Sequence, residues 1–175
     1  RGIRKSTGLK NLCLAGGVAL NCVANGKLLR ENIFDGIWIQ PAAGDAGGAI
    51  GAALAAHHLM LNQARRCDAT DSMRGAYLGP EFNQTDIERR LTNVGAVFQT
   101  VTYAELIGLT AQALVDGKAV GWFQGRMEFG PRALGGRSIL ADPRSPIVQK
   151  QLNLKVKYRE SFRPFAPSVL REDLT

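Results

Sequence analysis

Four arginines crowd the stretch FQGRMEFGPRALGGRSILADPR, Phe123 to Arg144, among four glycines and two prolines. Guanidinium groups on so constrained a backbone suit planar, bidentate capture of a carboxylate or a phosphate. Close together they also repel one another, so Arg126, Arg132 and Arg137 need either an anion between them or free solvent. A solvated basic surface has no use for Gly/Pro scaffolding, which favours the anion. Pro131 is placed to open a helix at its first position. Arg132 would then lie in the first helical turn, against the positive end of the dipole, a cost that a bound anion would relieve.

A second basic run, KVKYRESFRPFAP, adds Lys155, Lys157, Arg159 and Arg163. Pro164 and Pro167 favour an extended or turning path over helix. Side by side, the two runs would share one pocket; pointing apart, they are a scattered basic surface. Between Val120 and Phe165 nine Lys/Arg (126, 132, 137, 144, 150, 155, 157, 159, 163) face three acids (128, 142, 160), nearly the whole net charge of +7. Phosphate is the natural partner, whether on a small molecule or on a polymer.

Two earlier stretches also have the makings of sites. In LAGGVALN, Leu14 to Asn21, a strand passes through Gly-Gly into a helix. Exposed backbone N–H groups there would hold phosphate, but a tight β-α turn has the same composition. In PAAGDAGGAIGAAL, Asp45 ends a strand-to-helix loop and would either bind a metal or cap the helix. His57 and His58 are adjacent rather than four apart, so they read as surface or packing residues. Cys13, Cys22 and Cys67 are odd in number and show no CxxC spacing, which points to reduced structural thiols.

These residues need elements to position them. Residues 11–62 read as two β-α units: NLCLAGG and GIWIQP as strands, VALNCVANGKLLREN and GDAGGAIGAALAAHHLMLNQ as helices. Such alternation predicts parallel strands with helical crossovers, and the Ala/Gly face of the second helix predicts close packing. QARRCDATDSMRG, 63–75, reads as a linker. Beyond it AYLGPEF and AVFQTVT are expected strands, NQTDIERRLTNVG and YAELIGLTAQALVDGK helices, and AVGWFQ a strand feeding the arginine loop. The last part is expected to be helix, basic loop and strand. Hydrophobic residues make up 45% of the 175, yet no apolar run reaches a membrane span. The opening RGIRKSTGLK carries no secretory leader, and with REDLT at the other end the chain reads as a cytoplasmic piece of a longer polypeptide.

LAGGVALNCVANGKL, PAAGDAGGAIGAAL, GRMEFGPRALGGRSILADPR and LNLKVKYRESFRPFAPSV together resemble the O-carbamoyltransferases of nodulation-factor and antibiotic biosynthesis. The resemblance implies an α/β chain: the end of an ASKHA (actin-like ATPase) domain, 1–62, then the linker 63–75 and part of a YrdC-like α/β domain, 76–175. It implies carbamoyl-adenylate formation from carbamoyl phosphate and ATP, and transfer of the carbamoyl group to an acceptor hydroxyl on a small molecule. It assigns Arg126, Arg132 and Arg137 as catalytic and substrate-binding groups, and Lys157, Arg159 and Arg163 as substrate-binding. Gly16, Gly17 and Asn21 become nucleotide-binding, and Asp45 a ligand of a divalent metal with iron as the candidate, alongside Mg for ATP.

A homodimer is a further expected partner, and a membrane is not. The family's metal-binding histidines belong to a region preceding this one and are not replaced by His57 and His58, so the isolated chain is expected not to turn over. tRNA threonylcarbamoylation or hydrogenase-maturation carbamoylation is the alternative within enzymes. A basic nucleic-acid-binding module, stacking bases on Phe129, Tyr158, Phe162 and Phe165, is the alternative of another class.

Overall fold

The computed structural model describes residues 1–67 and 69–173. Residue 68 of the expected linker and the last two residues of the expected second domain lie outside them. The chain divides into two compact units, Arg1–Glu81 with Gly125–Gly136, and Phe82–Gln124 with Arg137–Thr175. The arginine loop thus belongs to the first unit, although the strands on either side of it belong to the second.

In the first unit a short helix α1 (Gly2–Thr7), absent from the sequence reading, ends on left-handed Gly8. β1 (Asn11–Leu14) and β2 (Gly36–Ile39) pair in parallel, Asn11 opposite Gly36 and Leu14 opposite Ile39. A 3-10 turn (Gly17–Leu20) and helix α2 (Cys22–Arg30) form the crossover, as the alternation of apolar runs requires. Helix α3 (Asp45–Ala55) runs on into a π turn (Ala56–Met60) that carries His57 and His58. The rings of these two meet edge to face, 4.9 Å apart, and His58 Nδ1 lies 2.8 Å from the Gln63 carbonyl. Cys13, Cys22 and Cys67 are free, as expected of reduced thiols, and exposed.

Small residues decide the packing of this unit, whose buried apolar residues are Ala19, Ala42, Ala43 and Ala76. The close approach expected of the Ala/Gly helix is confined to its first turn. A Cβ on Gly47 would stand 2.0 Å from the Ala42 carbonyl oxygen, whereas one on Gly51 would meet nothing within 4 Å.

In the second unit α4 (Gln84–Asn93) is capped by the Asn83 side chain, which accepts from Asp86 N at 2.8 Å. α5 (Tyr103–Val115) opens on a reciprocal capping box between Thr102 and Glu105 and stops at left-handed Gly117. β3 (Val120–Phe123) and β4 (Arg137–Leu140) pair antiparallel, Phe123 opposite Arg137. α6 (Val148–Gln151) continues as a π turn (Leu152–Val156), with Leu152 and Asn153 buried. Among the described residues no helix is long and apolar enough to cross a membrane.

Four local expectations are corrected. AYLGPEF does not form a strand, because a 3-10 turn (Arg74–Ala76) with Ala76 at φ 73 turns the chain out of extended geometry where the strand would begin. AVFQTVT has strand-like residues, but no described strand pairs with it and Val97 is fully exposed; without a ladder the propensity is unused. APSVL near the end likewise finds no partner strand. Pro131 opens no helix, since the turn is shaped by left-handed Gly130 and Gly135, φ 126 and 111, instead of a helical ladder. Strand β4, hidden inside the arginine motif, was not foreseen.

The Glu105 carboxyl is held below its ordinary value of 4.5 by hydrogen bonds from the Thr102 hydroxyl and backbone. A depressed folded-state pKa stabilises above the unfolded value and ceases to do so as pH falls through the folded one. Thr102→Ala is expected to destabilise the unit by about 1 kcal/mol in denaturant titration at neutral pH. The difference between variant and parent should narrow once Glu105 is protonated.

Candidate functional site

The arginine loop is held by hydrogen bonds to segment 76–80 of the same unit. Phe129 N donates to Ala76 O at 2.6 Å, Met127 N to Pro80 O at 3.0 Å, and Gly79 N to Met127 O at 2.9 Å. Tyr77 Oη donates to Leu134 O at 2.6 Å. Within the loop, Glu128 Oε1 accepts the backbone N–H groups of Leu134 at 2.8 Å and Gly136 at 2.6 Å, closing the turn on itself. Glu128 and Tyr77 organise this site, and neither stood out in the sequence. The available signal was an acid placed between two arginines, with Gly-Gly following at the spacing of one tight loop.

Closing the turn carries Gly130 and Pro131 against Ala42, on the loop before α3. A Cβ on Gly130 would lie 3.1 Å from Ala42 Cα and 3.2 Å from its Cβ, in a backbone conformation that L side chains rarely adopt. The result is a cavity of about 470 Å³ lined by Gly17, Leu20, Gly44, Asp45, Ala46, Gly130 and Pro131. Three segments distant in sequence meet there at the N-terminus of α3, where unpaired backbone N–H groups carry partial positive charge.

Each expected site residue has a definite place. Asp45 is the first residue of α3, is exposed at the cavity, and makes no side-chain hydrogen bond or ion pair among the described residues; the cap position itself is Gly44. Of the two roles open to Asp45, side-chain capping is not the one it plays. Gly17 lines the cavity, but the Gly16 N–H donates to Ala43 O at 2.6 Å. The Asn21 side chain accepts from Ala24 N at 3.1 Å and caps α2.

The arginines divide by what already holds them. Arg126 donates through Nη1 to Gly79 O at 2.9 Å and approaches Glu81 at 3.5 Å. Arg137, in the second unit, lies 3.3 Å above the Phe123 ring centroid and donates to Gln124 O at 2.8 Å. Arg144 is bound in two places by Asp142, and its guanidinium holds that carboxyl below the usual range. Arg163 pairs with Glu160 at 2.8 Å, and a backbone N–H together with Arg163 lowers the Glu160 pKa. The repulsion written into the motif is thus largely relieved by the protein's own groups. Arg132, the residue after cavity-lining Pro131, is exposed and makes no hydrogen bond or ion pair among the described residues. Arg159 is half-buried, donates to Asn153 Oδ1 at 2.6 Å, and lies 5.0 Å from the Phe165 centroid. Lys157 is exposed.

As a metal site the constellation offers one carboxylate. No group of three His, Cys, Asp or Glu able to hold a metal occurs among the described residues. Asp45 fits one ligand position and no more. The loop's geometry can be tested through its glycine. Gly130→Ala should lower stability by about 1–3 kcal/mol, the cost of a strained backbone at this φ. Gly51→Ala, in open space on α3, should raise it by about 0.5–1 kcal/mol. Thermal melting of the two variants checks both signs.

Comparison with known proteins places these features in one family. Residues 2–54 match the family model described as "Carbamoyltransferase N-terminus", and residues 111–175 match "Carbamoyltransferase C-terminus". Over 97% of its length the chain is 61% identical to an uncharacterized protein of Synechocystis sp., and spans 28% of that protein. It is 48% identical over 95% of its length to Nodulation protein NolNO of Sinorhizobium fredii, spanning 24% of it. It is also 46% identical over 97% of its length to Nodulation protein NolO of Bradyrhizobium diazoefficiens, spanning 30% of it. The chain therefore spans about a quarter to a third of the curated relatives it matches. With N-terminal and C-terminal models matched in chain order, over more than half of its residues, the chain belongs to the carbamoyltransferase family.

Proposed function

We propose that the chain is part of an ATP-dependent O-carbamoyltransferase, with the first unit contributing to an actin-like nucleotide domain and the second to a YrdC-like domain. The observation that carries this reading is Arg132. It is a guanidinium without a protein partner among the described residues, and it follows a residue that lines a cavity at a helix N-terminus, beside the unpaired Asp45. Free cation, helix dipole and the open backbone at Gly17 together favour a phosphate tail. A carboxylate is compatible with that tail when a cation accompanies it. ATP bound with Mg is such a ligand, and Asp45 would supply one oxygen to the divalent metal, the remaining ligands coming from elsewhere in the full-length protein.

The chemistry asked of these residues is charge stabilisation. Hydrolysis of carbamoyl phosphate releases inorganic phosphate and leaves carbamate, whose oxygen attacks the α-phosphorus of ATP; the bond to pyrophosphate breaks and negative charge moves onto phosphoryl oxygens. A guanidinium already held in place stabilises that charge with little reorganisation. Arg132 is the group assigned this role in the first unit, while Arg126 holds the loop to Gly79 and Glu81. In the second unit Lys157 and Arg159 are the candidates for carbamoyl phosphate. Transfer to a small-molecule hydroxyl in the cytoplasm would complete the reaction.

A second reading has one observation in its favour. Tyr158 and Phe162 are 86% and 77% exposed beside Lys155 and Lys157, an arrangement that could stack and hold a single-stranded nucleic acid. Binding of that kind would fall steeply with salt and ignore carbamoyl phosphate.

The test is Arg132→Ala in the full-length protein. Carbamoyl-phosphate-dependent pyrophosphate release should fall about 100-fold, as expected for loss of a preorganised charge-stabilising donor, with an unchanged melting temperature. Undiminished release would sink the assignment. Arg126→Ala should instead lower the melting temperature.

A further inference from the structure

We infer that Asn153 is a positioning residue that sets the Arg159 guanidinium for an oxyanion of the phosphate class. This rests on the carbamoyl-phosphate reading above and adds the residue that makes the second basic run a built site.

Asn153 is completely buried and is the largest fully buried side chain described. Its amide is used on both sides. Nδ2 donates to Ser161 O at 3.1 Å and Arg163 O at 2.8 Å, and Oδ1 accepts Arg159 Nε at 2.6 Å. The orientation is unambiguous, because the flipped amide would set an oxygen against two carbonyls and a nitrogen against a guanidinium. Its backbone carbonyl also accepts Arg159 N at 2.9 Å. One residue thus ties down the start, the middle and the end of the loop 159–163.

Two irregularities in the backbone serve that arrangement. Asn153 sits within a π turn, Leu152–Val156, a distortion found often at functional sites. Tyr158 takes φ 47, a left-handed conformation that is costly outside glycine and persists only where its surroundings enforce it. The turn at Tyr158 brings Arg159 back over the helix end, where the Asn153 bonds hold it.

The guanidinium is consequently fixed without an ion pair among the described residues, and Glu160 feels its charge only at longer range, after Arg163. Phe165 is stacked 5.0 Å from it, and Nε is spent on a neutral amide. Nη1 and Nη2 make no hydrogen bond, and Arg159 no ion pair, among the described residues. Its neighbour Arg163 shows the alternative, a carboxylate partner in Glu160. A neutral acceptor in place of a paired carboxylate leaves a charged, two-pronged edge for a ligand. That edge fits a tetrahedral phosphate oxygen pair, as in carbamoyl phosphate.

The test is a double-mutant cycle in the full-length protein, reading KM for carbamoyl phosphate separately from KM for ATP and from kcat. Asn153→Ala should raise the carbamoyl-phosphate KM about 10-fold, the loss expected when a hydrogen bond to a charged group is removed. The KM for ATP should hold. In an Arg159→Ala background the same substitution should change the KM less than about 2-fold, because its route of action is gone. Equal effects in both backgrounds would mean a merely structural asparagine and overturn the proposal. If Arg159→Ala raises the KM and Asn153→Ala does not, the positioning role fails while the anion site stands. If Arg159→Ala leaves the KM unchanged, the anion site itself fails, and the proposal with it. Asn153→Ser, run through the same cycle, keeps a small polar group should the alanine variant fold poorly.

Discussion

One carboxylate oxygen, Glu128 Oε1, accepts two backbone N–H groups inside a loop otherwise dominated by positive charge. Most of what is distinctive in the first unit depends on that contact. It gathers the chain between Phe129 and Gly136 into a closed turn, which seats Gly130 against Ala42 and lays Pro131 along the cavity at α3. It also places a negative charge among arginines that would otherwise push the loop open. A hydrogen bond from a backbone N–H to an ionised carboxylate is stronger than one between neutral groups. Two on a single oxygen bring that oxygen's charge and the loop's geometry under one control.

The clustered cations are accommodated residue by residue. Arg126, Arg144 and Arg163 are each given a carboxylate; Arg137 is given an aromatic face; Arg159 has a neutral amide and an aromatic face. Arg132 has none of these among the described residues. Charge left uncompensated after such provision is more informative than total charge, since a net surplus on a surface has many causes. Among the arginines of the two basic runs, those without a carboxylate or backbone-carbonyl partner narrow to a guanidinium beside a helix N-terminus in one unit and a clamped guanidinium in the other. Neither feature follows from counting lysines and arginines, and both follow from tracing each guanidinium to its partner.

Legibility in the sequence followed the range of the interactions involved. The parallel β1–β2 pair, the crossover helix, α3, α4, α5 and the stop at Gly117 were readable, because their apolar spacing, caps and glycines act over a few residues. The strands expected at 76–82 and 96–102 failed for the opposite reason. A strand needs a partner, and propensity cannot say whether the fold provides one. The helix expected at Pro131 failed because proline permits a helix start without requiring one, and the loop's long-range bonds prevailed. For Asp45, cap and ligand were both compatible with its position. The placement of Gly44 as the cap and the absence of a side-chain bond among the described residues remove the capping role.

By itself, then, the sequence determined the local elements, the concentration of the net positive charge in 120–165, and the motifs that carry the carbamoyltransferase family. Each of these is encoded in neighbouring residues. Tertiary structure decided which arginines are already satisfied, that the arginine loop belongs to the first unit and closes over Asp45 and Gly17, and that a buried asparagine holds Arg159. Those outcomes depend on contacts between residues tens of positions apart, such as Tyr77 with Leu134 and Gly130 with Ala42. Residue type and spacing permit such contacts, but only the folded backbone selects them.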